Sequence, residues 1–332
     1  MALKIAINGF GRIGRCVARI AATREDVEIV AINDMASMDM MLYLLKNDSV
    51  NGTFKSNVEQ IDDENISING KKIRVFSDRD PKNLKFADCG AQIVLECTGV
   101  FLSQKDAQIH IDNGIKKVLF SAPAKDDTPT YVIGVNEHLY NGESIVSNAS
   151  CTTNCLGPVA KVLDDAFGIQ KGLMTTIHSY TNDQNILDVK HSKDKRRARA
   201  GAINMIPTTT GAAKAIGLVL PQLKGKLHGQ SVRVPTPNVS MVDLNVVVGR
   251  KTTKQEVNEI FHEAAKTNMK NIILMDKEMR VSQDFVGCEY SSIVAEDLTQ
   301  VIDGDMVKVM AWYDNEWGYS TRLLDMAVHI SK

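Results

Sequence analysis

A cysteine-containing block and a later histidine have the residue types needed for covalent catalysis. The block Ser150-Cys151-Thr152-Thr153-Asn154-Cys155 stands between a strand-like run and a helical pattern, which places Cys151 at or near a helix N-terminus. There, the helix end and a neighbouring imidazolium can lower a thiol pKa from about 8.5 to between about 3.5 and 7.5. His178 ends the strand-like run Leu173–Ile177 and is the candidate base. From spacing alone, a structural histidine is as good an interpretation as a catalytic one.

The second cysteine of the block calls for a different interpretation. Cys155 falls one helical turn after Cys151 and is expected to pack as a small apolar side chain. A zinc site is disfavoured because no second cysteine pair stands nearby at ligand spacing. We therefore predict that the protein has no metal centre.

A glycine-rich turn near the N-terminus has the spacing of a dinucleotide-binding fingerprint. Gly9-Phe10-Gly11-Arg12-Ile13-Gly14 follows a strand pattern and precedes a helical one, and Asp34 comes about 20 residues later. Gly9 would make the tight turn, Gly11 would admit the pyrophosphate, and Gly14 would let helix and strand pack closely. Asp34 would accept hydrogen bonds from the ribose hydroxyls and favours NAD over NADP, because a carboxylate repels a 2′-phosphate. The alternative is an ordinary strand–helix turn with a surface aspartate.

The elements that position these residues predict two domains. Up to residue 150, short apolar strands alternate with helical stretches, which is typical of an α/β, Rossmann-type parallel sheet. These strands are expected at Lys4–Asn8, Val27–Ile32, Ile73–Phe76, Ile93–Cys97, Lys117–Ser121 and Ser144–Ser147. From Cys151 onward, a helix at Asn154–Phe167 precedes longer strands, which predict an α+β domain with a mixed or antiparallel sheet. Its expected elements are the strands Leu173–Tyr180, Gly229–Arg233, Ser240–Val248, Ile272–Met275, Ser291–Glu296 and Met306–Tyr313, a helix at Gln255–Lys266 and a closing helix at Asn315–Ile330.

Composition narrows the functional class. The 332 residues are 44% hydrophobic and 24% charged, as in ordinary globular proteins, and the net charge of −1 argues against nucleic-acid binding. No apolar run approaches the roughly 20 residues of a membrane span, so no membrane association is expected. The N-terminal run from Met1 to Ile5 lacks a signal-peptide pattern, and the six cysteines lack a disulfide rhythm. These observations predict a cytoplasmic protein with reduced thiols.

Several motifs together resemble one enzyme family along the whole chain. They are Asn8–Arg15, Glu96–Gly99, Ser147–Cys155, His178–Thr181, Ile206–Ala215, Arg233–Asn238 and Trp312–Tyr319. In these segments the sequence resembles the phosphorylating glyceraldehyde-3-phosphate dehydrogenases. The resemblance implies an NAD-binding Rossmann domain over 1–150, joined by a C-terminal helix over 315–332, and a catalytic domain over 151–314. It also implies a homotetramer.

The same resemblance implies a reaction and a role for each site residue. Cys151 would form a thiohemiacetal and then a thioester with glyceraldehyde 3-phosphate, His178 would act as base, and inorganic phosphate would release 1,3-bisphosphoglycerate. The substrate phosphate and the attacking phosphate would be held by Ser150, Thr152, Thr181, Arg196, Thr210, Gly211 and Arg233. The cofactor would contact Gly9, Gly11, Arg12, Ile13, Gly14, Asp34, Arg79 and Ser121, with Asn315 fixing the nicotinamide carboxamide.

Other functions remain as alternatives. An erythrose-4-phosphate dehydrogenase shares the fold and the cysteine but need not pass the acyl group to phosphate, and the set at Thr152, Thr210 and Gly211 disfavours it. A semialdehyde or acyl-phosphate dehydrogenase would need a different anion clamp. A binding protein that has lost catalysis would not be expected to keep Cys151 and His178.

Two features of the polar loop at about Asp183–Ala200 bear on partners and cofactor. The basic run Lys193–Arg199 allows three interpretations. It could be a solvated surface, a nucleic-acid-binding patch, or a loop that binds phosphate and contacts another subunit. The resemblance favours the third. Many NAD-specific members of the family have proline where this chain has Lys190. A cation there could partly offset the repulsion between Asp34 and a 2′-phosphate, so some use of NADP is allowed.

Overall fold

A computed structural model describes residues 2–192 and 194–332, so Met1 and Lys193, which starts the basic run, lie outside the described residues. The chain forms two compact units. The first contains the chain up to Tyr131 together with Glu137–Ser150 and Ser320–Lys332. The second contains Val132–Asn136 and Cys151–Tyr319.

The first unit is built on an eight-stranded sheet in the order β3-β4-β5-β2-β1-β6-β7-β8. Its strands are β1 (Leu3–Asn8), β2 (Val27–Asn33), β3 (Val58–Asp62), β4 (Asn65–Ile68), β5 (Lys71–Phe76), β6 (Ile93–Glu96), β7 (Lys117–Phe120) and β8 (Ile145–Ser147). Its helices are α1 (Arg12–Ala21), α2 (Met38–Lys46) and α3 (Gln104–Asp112), and most of the C-terminal helix Trp317–Ile330 belongs to it. Five neighbouring pairs, from β5 to β8, are parallel, as the strand–helix alternation predicts.

One edge of this sheet differs from the predicted parallel arrangement. β3 pairs with β4, and β4 with β5, in antiparallel fashion. Only two residues, Asp63 and Glu64, separate β3 from β4, and so short a connection can make a hairpin but not a parallel crossover. Four of the five residues of β3 are exposed, so the strand has no apolar pattern by which the sequence could reveal it.

The second unit contains a mixed sheet in the order β10-β11-β9-β12-β16-β14-β13, with β15 added on β16. Its strands are β9 (Ile169–Ser179), β10 (Ile206–Thr209), β11 (Leu227–Val234), β12 (Ser240–Val248), β13 (Ile273–Asp276), β14 (Ser292–Ala295), β15 (Gln300–Ile302) and β16 (Met306–Tyr313). The helices α4 (Cys151–Phe167), α5 (Ala212–Val219) and α6 (Lys254–Lys266) belong to the same unit. The C-terminal helix Trp317–Ile330, most of which belongs to the first unit, is called α7. Most strand pairs of the second unit are antiparallel, but β9–β11 and β13–β14 are parallel.

The helix that carries the cysteine block begins earlier than the sequence pattern predicts. α4 starts at Cys151 and not at Asn154. Just before it, Ala149 has a left-handed backbone with φ of 57°, and the Ala149 N–H donates to the Ser147 hydroxyl over 3.1 Å. This turn ends β8 abruptly, so the polar residues 151–153 already form the first helical turn. Their polar character hides that turn from a search for apolar periodicity.

Candidate functional site

The cysteine and the histidine singled out in the sequence lie side by side in the second unit. Cys151 is the first residue of α4, and His178 is the penultimate residue of β9. Cys151 Sγ lies 3.6 Å from His178 Nε2, within hydrogen-bonding range for sulfur. Along β9 the side chains alternate, and Met174, Thr176 and His178 are buried. The pairing of nucleophile and base is therefore geometrically available.

An arginine from the neighbouring strand contacts the other face of this pair. The parallel register of β9 and β11 places Arg233 directly beside His178. Arg233 Nη1 lies 2.7 Å from His178 Nδ1 and donates to the Ser179 carbonyl oxygen over 3.1 Å. The same carbonyl oxygen lies 2.7 Å from His178 Nδ1. Arg233 is expected by resemblance to bind an anion, and no pattern in the sequence indicates its contact with the histidine.

A tyrosine that the sequence analysis did not single out completes the surroundings of the pair. The Tyr313 hydroxyl lies 2.9 Å from Thr152 Oγ1 and 2.8 Å from Thr176 Oγ1. Its ring meets the His178 ring edge-on, with centroids 6.0 Å apart. Burial raises the pKa of Tyr313 well above its usual range, so the hydroxyl stays neutral and keeps its proton. Tyr313 thus fixes Thr152 and limits the tilt of the imidazole.

The electrostatics of the pair differ from the expectation of a preformed imidazolium. Burial raises the pKa of the Cys151 thiol, and the Arg233 guanidinium offsets only part of that increase. Burial, followed by the Arg233 charge, lowers the pKa of His178 to about 3. At neutral pH the free protein therefore holds a neutral thiol beside a neutral imidazole. The sequence could not show this because the burial and the nearby cation both come from tertiary packing.

In the first unit, the glycine turn borders a cavity of about 470 Å³. Gly9 has φ of 95°, and a Cβ there would lie 2.7 Å from the Thr98 nitrogen; a Cβ on Gly14 would overlap the Gly9 carbonyl. Nothing lies within 4 Å of a Cβ built on Gly11, so the backbone is open to a ligand. The N-terminus of α1 has no side-chain cap. A helix N-terminus suits the pyrophosphate of a dinucleotide, because its N–H groups and the positive end of its dipole favour an anion.

Comparison with known proteins shows the family of the chain. A model of the glyceraldehyde 3-phosphate dehydrogenase NAD-binding domain matches residues 3–104, and a model of the C-terminal domain of the same enzyme matches residues 150–315. This chain belongs to the glyceraldehyde 3-phosphate dehydrogenase family. It is 52% identical to glyceraldehyde-3-phosphate dehydrogenase 1 of Bacillus subtilis over 100% of this chain and 99% of that protein. It is also 54% identical to the chloroplastic glyceraldehyde-3-phosphate dehydrogenase A of Zea mays over 98% of this chain and 81% of that protein.

Among the predicted cofactor residues of this family member, those of the first unit cluster around the cavity. Gly9, Gly11, Asp34 and Arg79 line it. Arg12 and Ile13 lie in the first turn of α1 beside it, and Arg12 forms an ion pair with Asp48 at 2.5 Å. Gly14 packs behind the turn. Ser121 is linked to the cavity less directly: it is hydrogen-bonded to the thiol of Cys97, and Cys97 lines the cavity.

Asp34 is already engaged with the glycine turn. Its two carboxylate oxygens accept from the Phe10 N–H over 2.7 Å and from the Ala36 N–H over 2.9 Å. Asp34 therefore fixes the turn that receives the pyrophosphate as well as facing the cavity. Each carboxylate oxygen has further lone pairs with which it can accept from a ribose hydroxyl.

Buried polar residues behind the cavity were missed by the sequence analysis. Asn8 donates to Glu96 over 2.6 Å, and Asn33 donates to Asn8 over 2.8 Å. These residues end β1, β6 and β2, and ligands of open α/β sheets bind outside the carboxyl ends of the strands. That rule, applied to the predicted strands, could have identified them.

Asn315, in the second unit, is held by two hydroxyl groups. Its side-chain oxygen accepts from Ser179 Oγ over 2.9 Å and from Ser240 Oγ over 2.8 Å. These contacts orient the amide so that its NH₂ group is the part left to donate. An amide held in this way suits a role in fixing a carboxamide group.

The predicted anion-binding residues lie mainly at helix starts. Thr152 is buried in the first turn of α4, and Ser150 immediately precedes that helix. Gly211 precedes α5, and the Thr210 hydroxyl accepts from the N–H of Ala212, the first residue of that helix, over 3.1 Å. Helix starts suit phosphate, because their N–H groups and the positive end of the helix dipole favour an anion.

Arg196 and Arg197, two adjacent arginines of the basic run, differ in their burial and in their side-chain contacts. Arg196, the residue predicted from the sequence, is exposed, and the contacts found for it involve its backbone. Arg197 is partly buried, and its Nε donates to Thr208 Oγ1 and its Nη1 to Asp183, both over 2.7 Å. Burial lowers the pKa of Arg233, and the charges of Arg197 and Asp183 act on it as well. The geometry therefore favours Arg197 over Arg196 as the second arginine of the site.

The described residues contain neither a metal-binding cluster nor a membrane-spanning helix. Among the described residues, no group of three or more histidine, cysteine or acidic side chains is placed to hold a metal ion. None of the helices in the described ranges combines the length and apolar character needed to cross a bilayer.

Proposed function

We propose that this chain oxidises glyceraldehyde 3-phosphate to 1,3-bisphosphoglycerate, using NAD and inorganic phosphate, through a thioester on Cys151. The observation that carries the proposal is the 3.6 Å contact between Cys151 Sγ and His178 Nε2, at a helix start and beside Arg233. A thiol, a base and a cation are the groups that acyl chemistry on a phosphorylated aldehyde needs. The relatives carry the name of this activity over nearly their full length.

The residues of the site divide the reaction between them. Cys151 adds to the aldehyde carbon after its proton passes to His178 Nε2, and the histidine then gives this proton to the new oxyanion, which yields a tetrahedral thiohemiacetal. The Cys151 backbone N–H at the start of α4 and the His178 ring stabilise the developing oxyanion, where one donor is worth about 3–4 kcal/mol. His178 then holds the hydroxyl proton as the thioester forms. The chemistry that NAD would supply when bound is acceptance of the hydride from the aldehyde carbon.

The two phosphate groups need separate sites. We assign the substrate phosphate to Thr181 and Arg233, with Arg197 taking the part predicted for Arg196. The attacking phosphate is assigned to the helix starts that contain Ser150, Thr152, Thr210 and Gly211. Hydroxyl and backbone N–H donors suit the attacking phosphate, which must also react. The planar guanidinium groups of arginine suit the substrate phosphate, which only anchors the substrate.

A steady-state assay tests the proposal against the erythrose-4-phosphate alternative. Both aldehydes are compared with NAD, with and without inorganic phosphate. We expect a higher kcat/KM for glyceraldehyde 3-phosphate and a strong dependence of turnover on phosphate. A higher kcat/KM for erythrose 4-phosphate, together with turnover that does not depend on inorganic phosphate, would contradict the proposal.

The two adjacent arginines offer a matched pair of variants. Arg197→Ala should raise the KM for glyceraldehyde 3-phosphate by roughly tenfold or more, because a partly buried charged donor contributes about 1.5–3 kcal/mol. Arg196→Ala removes an exposed side chain of the same type and should change that KM less than about twofold. The comparison requires only initial rates. Equal effects of the two substitutions, or a larger effect at Arg196, would refute the choice of Arg197.

Cofactor preference is expected to depend on Asp34. We predict that NAD is preferred over NADP. Asp34→Ala should lower the ratio of kcat/KM with NAD to kcat/KM with NADP by about tenfold or more, because it removes both the repulsion of a 2′-phosphate and the hydrogen bonds to the ribose hydroxyls. Lys190 is exposed, so Lys190→Pro should shift the ratio by no more than a few-fold. An NADP preference in the unaltered protein would show that Asp34 does not decide the choice.

We also propose that the chain assembles as a homotetramer. The outer face of β9 leaves Leu173 66% exposed, and a largely apolar cavity of about 800 Å³ borders it. In the polar loop, Ile186 and Leu187 are 83% and 75% exposed. Exposed apolar surface of this extent is typical of interfaces. Sedimentation velocity should give four times the chain mass, and a monomer at micromolar concentration would contradict the assignment.

A further inference from the structure

We propose that the hydroxyl groups of Ser179 and Ser240 lock the Asn315 side-chain amide with its NH₂ group outward, so that the nicotinamide subsite selects rings whose substituent accepts a hydrogen bond. The inference rests on the proposed function, because it takes Asn315 to meet the carboxamide of NAD. It adds Ser179 and Ser240 as positioning residues, since they contact Asn315 and not the cofactor.

Three strand ends bring these residues together. Ser179 ends β9, Ser240 begins β12, and Asn315 follows the end of β16 by two residues. β12 pairs in antiparallel fashion with both β9 and β16, so the end of β9, the start of β12 and the end of β16 lie at the same edge of the sheet. Both serines are buried there. Their hydroxyl groups are therefore fixed by the sheet and not by a surface loop.

The two hydroxyl groups decide which way the Asn315 amide faces. Ser179 Oγ and Ser240 Oγ both donate to the Asn315 side-chain oxygen. Ser240 Oγ also accepts from the Ser179 N–H over 3.1 Å, so its one hydrogen is left for Asn315. If the amide turned over, both hydroxyl hydrogens would face the NH₂ group and lose their acceptor in a buried place, which costs free energy. The partners of an amide identify its oxygen, so the outward group is NH₂.

The backbone on either side of this contact is held by other interactions. Asp314 accepts from the Glu316 N–H over 2.8 Å and so fixes the chain around Asn315. Just before Ser240, the buried Val239 has a left-handed backbone with φ of 65°. For a β-branched residue this conformation is strained and persists only where the surroundings enforce it. The freedom that remains is the turning of the amide, and the two hydroxyl groups remove it.

A locked amide presents a donor and no acceptor. The hydrogen bonds of the Asn315 side chain among the described residues all end on its oxygen, and 7% of the residue remains exposed. Nicotinamide has both an accepting carbonyl and a donating NH₂ group, so an amide that could turn would bind either end. The locked amide can bind only the carbonyl, and it disfavours a ring whose substituent can only donate.

Dissociation constants of the full-length protein, measured by calorimetry, test this selection. The probes are ADP-ribose, which has no pyridine ring, the acetylpyridine analogue of NAD, whose ring substituent only accepts, and the aminopyridine analogue, whose substituent donates. We expect the unaltered protein to bind the acetylpyridine analogue about tenfold tighter than the aminopyridine analogue, because the latter places a donor against the Asn315 NH₂ group. Equal affinities, or tighter binding of the aminopyridine analogue, would overturn the proposal.

Serine variants separate the lock from a merely structural contact. Ser179→Ala combined with Ser240→Ala frees the amide and should reduce the preference to about twofold or less, with the ADP-ribose dissociation constant changed by less than about twofold. Ser179→Ala alone keeps the Ser240 hydroxyl and should give an intermediate preference, so the test stands if the double variant does not fold. An unchanged preference in Ser179→Ala would overturn the proposal.

Ser231→Ala is the matched control for these variants. Ser231 is a buried serine of β11, in the same sheet, and its hydroxyl has no hydrogen-bond partner among the described residues. Its removal should leave the preference between the two analogues as it is in the unaltered protein. A loss of preference as large as that of the double serine variant would show that any buried serine of the sheet has this effect, and would contradict the lock.

Asn315→Asp changes the outward group from a donor to an acceptor with almost no change of shape. It should reverse the preference, and the added charge cancels because both analogues carry the same pyridinium charge. An unchanged preference would show that Asn315 does not meet the ring substituent, which overturns the proposal. All these measurements are of binding. A protein that shows the selection but does not oxidise glyceraldehyde 3-phosphate would refute the proposed function alone, and one that oxidises the aldehyde without the selection would refute the lock alone.

Discussion

Replacement of Cys151 by serine should lower kcat for glyceraldehyde 3-phosphate oxidation by about 10⁴-fold or more. A serine hydroxyl is not available as an alkoxide at neutral pH, whereas a thiol can be deprotonated by a neighbouring base. The thioester, which conserves the free energy of oxidation until phosphate attacks, could not form. Initial rates at saturating substrate and phosphate measure this loss directly.

Binding of NAD separates a chemical defect from a folding defect. The glycine turn and its cavity are built from residues of the first unit, whereas Cys151 belongs to the second. Cys151→Ser should therefore change the NAD dissociation constant by less than about threefold, a small free energy. Retention of more than a tenth of the original turnover would mean that the nucleophile has been assigned incorrectly.

Cys155→Ser is the matched control for this experiment. Cys155 is fully buried, its thiol points to the Ala311 carbonyl oxygen, and its backbone carbonyl accepts from Ser292 over 2.8 Å. Burial raises the pKa of Cys155, so its thiol remains protonated and unreactive. The substitution should lower thermal stability modestly and leave most of the activity. A loss as large as that of Cys151→Ser would point to shared chemistry.

The second large effect is expected for His178→Asn, which should lower kcat by about 10²–10⁴-fold, the usual contribution of a positioned acid–base group. Asparagine keeps a polar side chain but cannot accept the thiol proton at neutral pH. The KM for NAD should change little. His138→Asn is a suitable control because His138 is exposed and belongs to the first unit, whereas Cys151 belongs to the second, and it should retain nearly full activity.

The pH dependence of alkylation gives this variant a second readout. Because the pKa of His178 is lowered to about 3, the imidazole is neutral through the physiological range and does not stabilise the thiolate in the free protein. His178→Asn should therefore leave the alkylation midpoint of the free protein nearly unchanged, above that of an ordinary thiol. A shift of a full pH unit or more to higher pH in the variant would show that an imidazolium is present at rest.

The sequence by itself determined the local features of this protein. The glycine spacing, the preceding strand and the following helix identified the α1 turn, because a tight turn and close packing require glycine at particular positions. The polar block that begins a helix identified Cys151. Both the parallel strands of the first unit and the mixed sheet of the second followed from apolar patterns, since burial imposes a period on each strand. Resemblance then supplied the family, which the comparisons show.

Tertiary structure decided the features that depend on which distant segments become neighbours. The register of β9 on β11 brings Arg233 beside His178, and no spacing along the chain encodes that pairing. Side-chain burial alone separates Arg197 from Arg196, because adjacent residues of a loop carry no periodic pattern. The pKa values of Cys151 and His178 depend on the same packing. Desolvation and Coulomb interactions are set by the atoms within a few ångströms, and these come from strands far apart in the sequence.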